Sequence, residues 1–252
     1  MKARLFRATA FVMASVCAAT CLPRVLRAQS HQPIYPAYDG FVKNPDGSYT
    51  LAFGYFNHNR EPVSVPVGPD NSFGPPPTDR QQPTTFLPGQ HRFQCFMVVG
   101  ADVAGTLRWT LAYAGTSTST SEKMMQYSWE LVEGAAQARK IEYTKAPRGV
   151  CLNREPVVSI LGQARGINRL TVTLPEHAQL FGNVEDEGLP RRGSLTVAWK
   201  QISGPGTVTF ADPKAARTQA SFSAPGIYDI ELSASDSLLT NSARVTVTVA
   251  AR

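Results

Sequence analysis

From Leu195 to Val249 apolar and polar residues alternate with a period of two: LTVAWKQISGPGTVTF, then TQASFSAPGIYDIELSASDS, then ARVTVTV. Gly/Pro clusters interrupt the runs. Alternation lets a strand bury one face and wet the other, and several short strands with regular turn signals predict an antiparallel sandwich. Leu195, Val197 and Trp199 fall on one face. Tyr228, Ile230 and Leu232 oppose Ile227, Asp229 and Glu231, and Val245, Val247 and Val249 complete the inward set.

The first half follows the same period. Tyr38–Val42 and Ser48–Phe56 flank Asn44-Pro45-Asp46-Gly47, a hairpin signal in which Pro presets φ and Gly supplies the left-handed residue. Further predicted strands are Gln90–Gly100, Thr106–Ala114 and Gln126–Val132. The segment 62–89 holds eight prolines (62, 66, 69, 75, 76, 77, 83 and 88). Proline cannot donate to a strand ladder, so this segment is expected to stay out of a central sheet and lie extended over a surface, partly as polyproline II. Thr116–Ser121 is expected to be a hairpin tip, and Glu133–Arg139 to hold a helical turn or two. The expectation is an all-β protein of two sandwich domains: 29–148, a linker at 149–168 rich in Gly and Pro, and 169–252.

Residues 1–28 have the pattern of a secretory leader: Lys2, Arg4 and Arg7, then a small and apolar stretch from Ala8 to Leu22, then Leu26-Arg27-Ala28 ahead of Gln29. The apolar run is about 15 residues, short of the ~20 a bilayer span needs. Cleavage, export to the periplasm, cell surface or beyond, and no remaining membrane span are expected. The leader also explains the charge. The chain has 25 Lys+Arg against 19 Asp+Glu, a net +6, and five of those basic residues lie in 1–28, leaving 20 − 19 = +1. The short pairs Arg191-Arg192 and Arg139-Lys140 make no clustered basic surface, which argues against nucleic acid as a partner.

Cys17 and Cys21 leave with the leader, and Cys95 and Cys151 remain. An even number in an oxidising compartment leads to an expected Cys95–Cys151 disulfide, tying the end of the first domain back onto its sheet. Two buried free thiols are the alternative.

The stretch LFGNVEDEGLPRRGSLTVAWKQISGPGTVTF…ASFSAPGIYDIELSASDS…ARVTVTV resembles the immunoglobulin-like repeats of the PKD and REJ-module group. The resemblance spans about Leu170–Ala250. It implies a buried Trp199, a turn at Ser203-Gly204-Pro205-Gly206, and a corner formed by Phe222, Pro225, Gly226 and Tyr228. WKQISGPG stands where many such repeats carry Trp-x-Phe-Gly-Asp-Gly, which points to a divergent branch. In the first half, YDGFVKNPDGSYTLAFGYFNHN, VPVGPDNSF and QPTTFLPGQHRFQCF resemble segments of uncharacterised secreted bacterial proteins, and this implies a class but no chemistry.

Reaction motifs do not emerge. The chain has no Gly-x-Ser-x-Gly, His-Glu-x-x-His, phosphate loop or Gly-x-Gly-x-x-Gly, and His31, His58, His91 and His177 lack metal-ligand spacing. No enzyme, cofactor or metal is expected. Glu185-Asp186-Glu187, with Asp236 near the same pole, is read as a solvated acidic turn, with weak calcium binding the alternative. Tyr49, Phe53 and Tyr55 alternate onto one face. They are the candidate ligand contacts if that stripe is exposed, and core if it is not. The expected role is interaction or adhesion with an envelope protein. A carbohydrate-binding module using the aromatic stripe is the alternative, and a hydrolase with an unfamiliar site is third.

Overall fold

The computed structural model describes residues 31–121, 125–131, 143–161 and 169–252. The leader and the helical turn expected at Glu133–Arg139 lie outside them. Strands dominate, as the alternation predicts. The first half runs β1 (Ile34–Lys43), β2 (Tyr49–Asn57), β3 (Val63–Ser64), β4 (Asn71–Gly74), β5 (Thr85–Phe86), β6 (Gly89–Val99), a single helical turn at Ala101–Ala104, β7 (Arg108–Tyr113) and β8 (Thr116–Ser119).

A sheet in the order β1-β2-β6 packs against one in the order β4-β7-β8. Between them lies an aromatic core: Phe41, Phe53, Tyr55, Phe73, Phe86 and Trp109, with Leu51, Met97 and Leu111. Phe53 meets Phe73 edge-on with ring centres 5.1 Å apart, and Phe73 stacks on Trp109 at 5.6 Å. The 44–47 hairpin forms as expected. Gly47 has φ +83° and donates to the Asn44 carbonyl at 3.0 Å, while Asp46 Oδ1 accepts the Ser48 N–H at 3.0 Å.

Three expectations for this half are corrected. The Pro-rich segment does not simply drape over a surface. Its prolines fall between short pairings: β3 with β5, and β4 as an edge strand on β7, with Phe73 and Phe86 delivered to the core. The TSTSTS stretch is largely strand β8, because Ala114 (φ +53°) and Gly115 (φ +76°) make the turn instead. Two left-handed residues suit a two-residue hairpin, and alanine in the first of those places hides the signal. Of the expected strand Gln126–Val132, the described residues 126–131 make a 3-10 turn at Tyr127–Trp129 and a bridge from Glu130 to Phe41.

The second half runs β9 (Val157–Ile160), β10 (Arg169–Thr173), β11 (Ala178–Glu185), β12 (Thr196–Ser203), β13 (Val208–Phe210), β14 (Arg217–Phe222), β15 (Gly226–Ser235) and β16 (Thr240–Ala250). Its sheets are ordered β10-β16-β15-β12 and β13-β14-β11-β9. β10 runs parallel to β16, and the other pairings in these sheets are antiparallel. Trp199, Tyr228, Ile230, Leu232, Val245, Val247 and Val249 are buried together with Leu180 and Phe222. Leu195 is a correction: it precedes β12 and is exposed. At the corner, Tyr228 donates to the Ala224 carbonyl at 2.8 Å, and Gly204 (φ +145°) lies flat on the Tyr228 ring where a Cβ would collide.

Residues 149–168 are, where described, more than a linker. The chain from Pro147 to Leu152 hydrogen-bonds along β6, and β9 then pairs with β11 and contributes Ile160 to the second core. The Cys95–Cys151 disulfide is present, with Cα atoms 4.7 Å apart across a separation of 56 residues.

Candidate interaction surface

The aromatic stripe belongs to the core. Phe53 is 0% and Tyr55 2% exposed, and Tyr49 is half-buried edge-on against Phe41. Tyr55 accepts the Leu87 N–H at 3.0 Å and stacks on His91, and burial pushes its hydroxyl up to about 12. No ring face of Phe53 or Tyr55 is open to a sugar. This corrects their placement as ligand contacts: Phe53 packs on Phe73 and Tyr55 on Phe86, the two rings that in turn flank Trp109 in the core.

The opposite phase of the same strands supplies the surface. Tyr35 and Phe56 sit across from each other on β1 and β2 and are 37% and 39% exposed. His58 stands between them, 5.3 Å from Tyr35 edge-on and 4.0 Å from Phe56 between ring centres. The His58 backbone donates to the Pro33 carbonyl at 3.4 Å, which returns the chain to the start of β1. Farther along this face a second thin cluster forms from Ala52, Phe93 and Phe96 under Leu131, Tyr143, Ala146 and Leu152. Between the two, Asp39 takes the Arg92 Nε at 2.7 Å and the Phe93 N–H at 2.6 Å. Among the described residues, the three-ring group is therefore the uncovered end of a face that the chain covers elsewhere. Period-two counting from Tyr35 and Phe56 would have marked it, had the stripe been assigned to the core.

The remaining histidines sit apart in roles of their own. His31 Nδ1 meets Tyr113 Oη at 3.1 Å, His91 Nε2 meets the Pro88 carbonyl at 3.1 Å, and His177 Nδ1 meets Ser221 Oγ at 2.9 Å.

The acidic cluster is not a solvated turn. Glu187 is 3% and Asp236 2% exposed, and both lie where the halves meet. Glu187 Oε1 accepts the Arg154 N–H at 2.7 Å, and its other oxygen lies 3.6 Å from Arg154 Nε. The Arg154 guanidinium rests over the Phe96 ring of the first half at 5.7 Å. Asn153 donates to Asp236 Oδ2 at 2.8 Å, and Asp236 Oδ1 accepts the Leu238 and Leu239 N–H groups. Just beyond, Leu189 inserts into the first core, and Arg191 binds both oxygens of Asp79 at 2.9 and 3.0 Å. Burial raises the Glu187 carboxyl to about 7 against the pull of Arg154. Burial, and then the neighbouring Asp236, raise Asp186. The sequence carried half of this: a dense acidic run was visible, but its partner Arg154 lies 33 positions away with no motif to join them.

Residues 166–249 match the family described as K319L-like, PKD domain. The PKD domain of human KIAA0319 is similar at 22% identity, over 39% of this chain and 84% of that one, with a TM-score of 0.31. The fibronectin(III)-like modules of Clostridium thermocellum CbhA are similar at 12% identity, over 80% of this chain and 86% of that one, at 0.28. Domains 4 and 5 of the S-layer protein SbsC are similar at 12% identity, over 88% and 100%, also at 0.28. No residue role is carried over from any of them.

Proposed function

Taking the C-terminal half as a PKD-like immunoglobulin fold, we propose that this is an exported, non-catalytic interaction protein of the cell envelope, and that its contact surface is the Tyr35–Phe56–His58 end of the first sandwich. The observation that carries this reading is the pair of partly exposed rings about His58. Flat amphipathic rings at low conformational cost are what recognition surfaces are enriched in. The disulfide supports export, because such bonds persist in oxidising compartments. The leader, cleaved before Gln29, would provide the route. The domain division 29–148 and 169–252 is part of this reading, with β9 joining the second domain. Among the described residues no helix is long and apolar enough to cross a membrane.

The test is retention of the full-length exported protein on the native envelope fraction. Tyr35→Ala with Phe56→Ala should reduce retention at least tenfold, the effect expected of losing two central aromatic contacts. The control Tyr127→Ala, at an exposed tyrosine elsewhere on the first half, should not change it. Unchanged retention in the double variant would remove this surface from the proposal. Retention on purified glycan, lost in the same variant, would identify the partner as a sugar.

A further inference from the structure

The joint between the two sandwiches gathers three carboxylates and one guanidinium. Asp186 and Glu187 come from the loop after β11, Asp236 from the β15–β16 turn, and Arg154 from the chain between Cys151 and β9. With every group ionised, the cluster has a formal charge of +1 − 3 = −2 in a place where Glu187 and Asp236 have almost no contact with water. The Phe96 ring faces Arg154 from the first sandwich and contributes no charge. A further ion pair between the halves, Arg191–Asp79, is internally neutral.

Buried like charges in excess of their counter-charges favour the bound proton. We infer that closing the joint takes up a proton, so that mild acid tightens the two sandwiches against each other and alkaline pH loosens them. When the joint opens, Glu187 and Asp186 return to water and to ordinary carboxylate behaviour. When it closes, both hold a proton more strongly. A group whose affinity for protons is higher in the closed state stabilises that state below its ordinary value and ceases to do so as pH rises through the raised one. The window for Glu187 therefore runs from about 4.5 up to about 7. Two other contacts of the joint carry no titratable group. Leu189 is apolar, and Asn153 is an amide. Arg154 keeps its charge throughout, so protonation of Glu187 leaves the guanidinium facing Asp186 and the backbone hydrogen bond to Glu187 Oε1 in place.

The Arg154 amide reports this directly, because its acceptor is the Glu187 carboxyl across the joint. Hydrogen exchange of the full mature protein would be followed at pH 5.5 and 8.5, expressed as protection factors so that the intrinsic pH dependence of exchange cancels. In the wild type the protection of Arg154 should fall by about tenfold over this range. Leu232 and Val247, deep in β15 and β16, should keep theirs. Glu187→Gln retains the acceptor oxygen and removes the titration of this carboxyl, so the fall in its Arg154 protection should be clearly smaller than in the wild type, with Asp186 supplying what remains. Asp186→Asn, read in parallel, should reduce the fall without abolishing it, and serves alone if the glutamine variant does not fold. Protection that is flat in the wild type, or greater at pH 8.5, overturns the inference. So does a full tenfold fall persisting in the folded Glu187→Gln variant, or in Asp186→Asn where that variant stands alone.

Discussion

The two sandwiches have similar layers but order their chains by different means. The second does it with strand ladders: β15 pairs over ten residues with β16, and its core is aliphatic apart from Trp199, Phe222 and Tyr228. The first has a proline-rich segment whose strands are only two to four residues long, and it uses buried side chains as substitutes for backbone partners. Asn71 donates to the carbonyls of Val65 and Pro83 and accepts from Trp109 Nε1, each at 2.9 Å. Gln82 donates to the carbonyls of Asn71 and Thr78 and accepts the Arg80 N–H. Asn57 donates to the Phe86 carbonyl at 2.8 Å. Arg80, itself buried, reaches the Gly149 carbonyl beside the disulfide. Where proline removes donors, the backbone carbonyls left behind still need partners, and fully satisfied amides supply them.

The largest expected effects test that contrast at the two buried tryptophans. Trp199→Ala should cost ~3–5 kcal/mol, the usual range for emptying such a site. Trp109→Ala should reach the top of that range or beyond, because it strands Asn71 Oδ1 at a fully buried site, whereas the Ala215 and Ala216 carbonyls that accept from Trp199 Nε1 are only partly buried. Urea unfolding of each variant measures both. Equal costs would mean that the Asn71 contact adds nothing to packing. Next comes the disulfide, whose closed loop of 56 residues is worth ~4 kcal/mol in the chain-entropy picture. Cys95→Ala with Cys151→Ala should lower the transition of the first sandwich and spare the second, as followed by hydrogen exchange at Leu51 and Val247. Equal loss at both would show that the halves unfold as one unit.

The same contrast explains what could be read from the residues alone. β15 and β16 announce themselves because Tyr228, Ile230, Leu232 and Ala234, and then Val245, Val247 and Val249, are buried at every second position, while β12 and β14 hold the same phase around Trp199 and around Ala220 and Phe222. β3, β4 and β5 leave no such trace: they have two to four residues each and are held by Asn71 and Gln82, whose partners are backbone atoms of any residue type. The stripe Tyr49, Phe53 and Tyr55 was legible as one face, but alternation cannot say which face is wet. Glu187 was visible as part of an acidic run and its burial was not, since that depends on Arg154 and Leu189 arriving from elsewhere.

Smaller changes sharpen the comparison within each half. Asn71→Ala removes one side chain and leaves the Val65 and Pro83 carbonyls and the Trp109 N–H unpaired, so a loss of about 3 kcal/mol is expected. Tyr228→Phe in the second sandwich removes a single hydrogen bond, to the Ala224 carbonyl, and should cost about 1 kcal/mol. A cost for Asn71→Ala no larger than that for Tyr228→Phe would undo the claim that buried amides organise the first half.

The smallest effect lies on the outer face of β15, where Glu231 bridges Lys200 on β12 at 2.9 Å and Arg244 on β16 at 2.7 Å. Hydrogen bonds from Lys200 and then from Arg244 hold its carboxyl below the ordinary range. The sign is opposite to that of Glu187: a lowered folded-state value gives stability that is present above the unfolded one and lost as pH falls through the folded one. Lys200 and Arg244 are largely exposed, so the gain is that of a surface network, and Lys200→Ala should cost only about 0.5 kcal/mol at pH 7. That cost should diminish as pH falls below the ordinary glutamate range and Glu231 takes up its proton, and it should shrink in high salt. Thermal unfolding of the wild type and Lys200→Ala at pH 7 and pH 3 tests it. A cost that persists undiminished at pH 3 would mean that the Lys200 stem stabilises the sheet by covering it, and that its charge contributes nothing.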